Sequence, residues 1–220
     1  MIGLILSAAM VMTDFNGTGA AAPADIDNVE YSAALSAALA DPSITSVISE
    51  LRPGCTGFSF EPATFNLMHD EDFAYLDKRF PKQIVKPGVV AHVTVTGCVI
   101  PLQLNLSALR SAVTRKIVFT MQVPGHTQAG SVLQQDAYMA ASFSGATLKA
   151  RHCNKPVTVK DTNIVAGTVS GNLAWTEDWQ LNNCGTDFTS EIIFTPSPSD
   201  GKVTVSAQLA PSANATLPAH

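Results

Sequence analysis

A mainly antiparallel β fold, either a sandwich or an open barrel and α+β overall because a helical pair precedes it, is predicted by three observations. The hydrophobic period changes from near 3.6 to 2 after about Val89. Eight or more short runs of strand character then follow, separated by Gly, Pro, Asn and Asp clusters. The turns between them are too short for the crossover helices of a parallel βαβ sheet, so hairpin-connected strands are expected. The 220 residues are 46% hydrophobic and 14% charged, which excludes intrinsic disorder. The length suits one globular domain with room for a small appendage, two domains being possible but not required, and no Gly-X-Y period, heptad or repeat is present.

The elements follow in order. Asp27 to Ala40 places Tyr31, Leu35 and Leu39 at i, i+4 and i+8, with Asp27 as N-cap and Glu30 as its capping-box partner. Asp41-Pro42 is a cap followed by an N1 proline, Ile44, Val47, Ile48 and Leu51 recur at helical spacing, and Pro53-Gly54 ends this second helix. Helices this short must dock on something larger. A third is predicted over Asp70 to Phe80, with Phe73, Leu76 and Phe80 inward. Strands are expected around Val93 to Val95 and over Val99 to Leu106, Ile117 to Val123, Ala137 to Phe143, Ala146 to Cys153 and Val157 to Lys160. Four more are expected over Ile164 to Val169, Leu173 to Leu181, Phe188 to Thr195 and Lys202 to Ala210, the last two joined by a loop with an Asp200-Gly201 turn signal.

The compartment is read from the N-terminus and the cysteines. Ile2 to Met12 is an uncharged apolar run, and the small residues after it end in Ala22-Pro23-Ala24. This order predicts a signal peptide over residues 1–24, although no Lys or Arg precedes the run, and hence a periplasmic or secreted protein. No transmembrane anchor is expected, because no stretch reaches 18 consecutive apolar residues. Residues 25–88 read as a helical and irregular segment, 89–210 as the β-rich domain and 211–220 as a disordered tail. Four cysteines, Cys55, Cys98, Cys153 and Cys184, suit disulfides in an exported chain, and none forms C-x-x-C. Three connectivities are open. Sequential pairing, Cys55 with Cys98 and Cys153 with Cys184, is preferred because the first bridge would fasten the helical pair to a strand end.

No sequence motif identifies a reaction. H-E-x-x-H, G-x-S-x-G, S-x-x-K, P-loop and G-x-G-x-x-G patterns are all absent. The five histidines have no ligand spacing, so no catalytic residue, metal or cofactor is assigned. His69-Asp70-Glu71-Asp72 is dense in oxygen ligands, yet three acids at a helix start complement its dipole without an ion. Trp175, Glu177 and Trp179 share one face if their segment is a strand. That face would either stack a planar ligand around a carboxylate or close the core near Cys184. The run W-x-E-x-W, then Cys184-Gly185 and a strand pair, resembles the C-terminal part of small exported bacterial proteins without an assigned activity.

Charge is arranged in blocks. Asp25 to Asp77 nets −9, Lys78 to Lys160 nets +10, and Asp161 to His220 nets −5. The central block, Lys149, Arg151 and Lys155 included, would meet an anionic envelope component, polysaccharide or protein if it stayed together in space. Nucleic acid is not expected, because few aromatics accompany the cations. The leading expectation is an exported, non-catalytic binding or scaffolding protein. Its rivals are an exported hydrolase with a site assembled from distant residues and a subunit of a surface assembly.

Overall fold

The computed structural model describes residues 28–68, 70–80, 82–146, 155–167, 173–199 and 202–210. Among them, helix α1 (Asn28–Leu39) and helix α2 (Pro42–Leu51) form where the apolar spacing places them. The Asp41 carboxylate accepts from the Ser43 N–H at 2.8 Å, Pro42 occupies the first turn, and Ile44, Val47, Ile48 and Leu51 are all buried. Next come the short strands β1 (Ser59–Phe60) and β2 (Thr64–Leu67), helix α3 (Asp70–Arg79), and strands β3 (Ile84–Thr96), β4 (Leu102–Ser111) and β5 (Ile117–Met121). The strands are all antiparallel, in the order β1-β3-β4-β5 with β2 also on β3. Period-2 alternation turns Val89, Ala91, Val93 and Val95 of β3 to the face that also carries Leu104, Leu106 and Phe119. Tyr31, Leu35, Ile44 and Ile48 of the helices complete this core.

The opposite face of this sheet carries a small apolar cluster of Met68, Phe73 and Leu109, with Leu76 and Val90 packed against it, beside a polar patch whose groups bond one another. The Asn105 amide donates to the carbonyls of Val123 and Gly125, both at 2.8 Å, while its oxygen lies 2.7 Å from His92 Nδ1. Gln134 donates to the Ala129 carbonyl and accepts from the Val123 N–H. These bonds hold the segment after β5 against the sheet.

Helix α4 (Ser131–Ala146) replaces the strand expected over Ala137 to Phe143. The stretch is rich in strong helix formers, and its buried positions Gln134, Ala137 and Ala141 recur at helical spacing. Its first turn is capped from a distance, the buried Asp72 accepting the Val132 N–H at 3.0 Å. Gly130 permits this approach, since a Cβ there would lie 2.3 Å from the Asp72 carboxylate.

A second antiparallel sheet, in the order β6-β7-β8-β9, comprises β6 (Thr158–Ala166), β7 (Trp175–Asn183), β8 (Thr186–Pro196) and β9 (Val203–Leu209). The two strands expected at Val157 and Ile164 are one strand, β6, because Asp161-Thr162-Asn163 is not a turn but pairs with Gln180, Trp179 and Asp178 of β7, with a register shift on either side. The fold is thus mainly β and α+β overall, with two antiparallel sheets.

The chain divides into two compact units. One comprises the residues up to Gly125 with Ala129–Gln134, and the other His126–Gln128 with everything from Gln135. The division expected at 88/89 falls inside β3, since the helices preceding it pack on that strand's own sheet. Residues 1–24, Asp27, the strand expected over Ala146 to Cys153 and the tail 211–220 lie outside the described residues, apart from Ala146 at the end of α4.

Candidate functional site

Strand β7 places Trp175, Glu177, Trp179 and Leu181 on one face, as the alternation requires, and that face is interior. Glu177 and Trp179 are 0% exposed and Trp175 is 3% exposed. The carboxylate is surrounded by donors. Trp175 Nε1 and the Gln128 N–H donate to Oε1 at 3.1 and 2.8 Å, and Trp179 Nε1 and the Thr127 hydroxyl to Oε2 at 3.0 and 2.8 Å. Trp175 stacks on Phe194 at 4.5 Å with 6° between the planes. The platform reading is therefore corrected: these rings present no face to a ligand, and the carboxylate's lone pairs are spent on structural donors.

The other expected residues fare differently. Lys155 is exposed, whereas Lys149 and Arg151 lie outside the described residues. Cys55 and Cys98 are disulfide-bonded, as expected, with Cα atoms 4.9 Å apart. Cys153, and with it the Cys153–Cys184 pairing, lies outside the described residues. Asp72 serves as the α4 cap, Asp70 pairs with Lys86 at 2.9 Å, and His69 is not described. The Lys86 ammonium holds the Asp70 carboxyl below the usual carboxylate range. Among the described residues no group of three His, Cys, Asp or Glu side chains is placed to hold a metal ion.

What the structure does assemble is a cationic end in the first unit. Gln83 N–H donates to the Phe80 carbonyl at 3.0 Å, and Ala112 N–H donates to the Gln83 carbonyl at 2.8 Å. The exit of α3 is thereby tied to the β4–β5 turn, with Ile84 paired to Ser111. Lys78, Arg79 and Lys82 on the first segment and Arg115 and Lys116 on the second are brought to one end of the sheet. All but the half-buried Lys116 are exposed, and Asp77 is the acid in the last turn of α3. Two exposed apolar residues lie on the same two segments, Phe80 at 41% with the Arg79 guanidinium 5.7 Å above its ring, and Val113 at 78% exposure. Phe80 was expected to face inward, but α3 buries Phe73 and half-buries Leu76, and the chain turns away at Phe80. The charge block was readable as a block. That its two parts meet depends on the pairing of β3 with β4, which no local signal encodes.

No protein-family model, curated protein or solved structure matches this chain. No helix among the described residues is long and apolar enough to cross a membrane.

Proposed function

We propose that this is an exported, non-catalytic binding or scaffolding protein of the cell envelope or extracellular space, and that it engages an anionic lipid surface through the cationic end of its first unit. The carrying observation is that Lys78, Arg79 and Lys82 with Phe80, and Arg115 and Lys116 with Val113, lie on two segments that the Ala112 to Gln83 hydrogen bond ties together. Basic side chains near an anionic membrane contribute about 1 kcal/mol each, and apolar side chains among them can enter the headgroup boundary. An acidic polysaccharide would use the cations but gain little from Phe80 and Val113, which favours the lipid. The Cys55–Cys98 bridge suits an oxidising compartment.

Sedimentation with vesicles tests this reading. Binding to phosphatidylglycerol-containing vesicles, weak binding to neutral ones and loss of affinity as salt rises are expected. Lys82→Glu with Arg115→Glu should abolish it, and Phe80→Ser with Val113→Ser should weaken it at unchanged salt dependence. Equal binding to neutral vesicles, or none to either, overturns the proposal.

A further inference from the structure

The two outer strands of the second sheet are treated very differently. Strand β6 has register shifts at two places, and its Thr162 carbonyl accepts the His126 N–H at 2.7 Å, so its outer edge is bent and partly occupied. Bulges and covers of this kind prevent strand addition. Among the described residues, strand β9 has neither device. Its sequence Val-Thr-Val-Ser-Ala-Gln-Leu carries no charge and no proline, and its register with β8 is unbroken from Val203 to Leu209.

The phase of the ladder fixes which groups point outward. Ala210 N–H donates to the Thr189 carbonyl and Ser197 N–H to the Lys202 carbonyl, so the even-numbered positions of this strand bond to β8. Val203, Val205, Ala207 and Leu209 accordingly direct their N–H and C=O groups away from the sheet. Their side chains continue the face of Ile192 and Phe194, yet they stay half-buried where those two are fully buried.

We infer that β9 is a self-complementary docking edge on which a second copy of this chain adds its own β9 antiparallel, about a twofold axis at Ser206. In that register Val203 faces Leu209 of the second copy and Val205 faces its Ala207, so every outward-pointing group meets another. Four hydrogen-bonded pairs of two bonds each result. All apolar side chains fall on one face and Thr204, Ser206 and Gln208 on the other, and Lys202 lies opposite Ala210, with no like charges opposed. A register displaced by one residue would set bonded groups against outward ones and swap the faces, so parity alone excludes it. A foreign strand would also find the edge open. The second copy is favoured because this strand's pattern is palindromic in face, in hydrogen-bond phase and in lack of charge.

The test is the mass of the purified full chain over a wide concentration range by sedimentation equilibrium, together with variants at the axis. A reversible dimer is expected. Ser206→Lys puts two ammonium groups opposite one another at a non-hydrogen-bonded pair and should leave a folded monomer, as should Ser206→Asp. Mixing these two variants should restore a dimer. Ser206→Cys should form a covalent dimer on mild oxidation, because such a pair has Cα atoms about 4.5 Å apart, within disulfide reach. Thr204→Cys should not. A folded wild-type chain that stays monomeric overturns the inference, including the case where the Val205 and Ala207 amides resist hydrogen exchange because another segment of the same chain covers them. A dimer indifferent to Ser206→Lys overturns it too.

Discussion

The Arg110 guanidinium on β4 and the Glu30 carboxylate on α1 meet fork to fork, Nη1 donating to Oε1 at 2.7 Å and Nη2 to Oε2. Both side chains are largely withdrawn from water, at 15% and 12% exposure, and the pair joins the first helix to the sheet beneath it. Arg110 also donates to the Arg115 carbonyl at 3.1 Å, bracing the β4–β5 turn. Removing one partner would strand the other charge, so Arg110→Ala or Glu30→Ala should cost about 3 kcal/mol. Replacing both by Leu should cost far less. Urea unfolding of the two single variants and the double variant checks this, and additive losses would refute the coupling.

Glu177 gathers four donors in the core of the second unit, and its removal should be among the costliest single changes in that unit. Glu177→Ala would leave two indole N–H groups, a hydroxyl and a main-chain N–H without an acceptor, a loss of about 4 kcal/mol or more. Glu177→Gln keeps one acceptor oxygen but turns an NH₂ toward donors, and should still cost about 2 kcal/mol. Denaturant unfolding followed by the fluorescence of Trp175 and Trp179 reads both. A variant as stable as the parent would contradict the structural role.

Asp178 stands directly across the β7–β8 ladder from Glu191. Burial first, and the Glu191 charge second, push its carboxyl above the ordinary aspartate value. A carboxyl raised on folding favours its protonated form, so its ionisation subtracts stability as pH rises through the carboxylate range. Asp178→Asn should therefore stabilise at neutral pH by about half a kcal/mol, allowing for solvent screening, and the gain should vanish in acid. Melting temperatures at the two pH values check the sign.

The Cys55–Cys98 bridge closes a separation of 43 residues. On the loop-entropy account it contributes about 4 kcal/mol, so Cys55→Ser with Cys98→Ser should lower the melting temperature markedly. Calorimetry of the double variant decides it, and an unchanged melting temperature would show that the reduced unfolded chain is already constrained.

Local signals were legible and distant partners were not. Asp41-Pro42, the apolar spacing and Pro53-Gly54 mark α2 to the residue, because cap, first turn and stop all act within one turn of chain. The alternation around Trp175 likewise sets the correct face. That this face is interior rests on Thr127 and Gln128, which meet Glu177 across about fifty positions of sequence. Helix α4 escaped for the same reason. Its cap, Asp72, is 60 positions away, so no local start signal accompanies its helix-forming composition. Asp161-Thr162-Asn163 has the composition of a turn, and only pairing with β7 reveals it as an irregular strand.

The bond between Cys55 and Cys98 encloses β1, β2, α3 and β3 in a covalent ring, with the two N-terminal helices outside it. A protease that cuts once between these cysteines, for instance near the exposed Glu61 or Leu67, releases nothing: the two fragments stay one molecule, heavier by a water. In a protease-rich surrounding the ring would make damage to this segment invisible to size until the bridge is reduced, and the nicked chain would keep the strands that carry its cationic end.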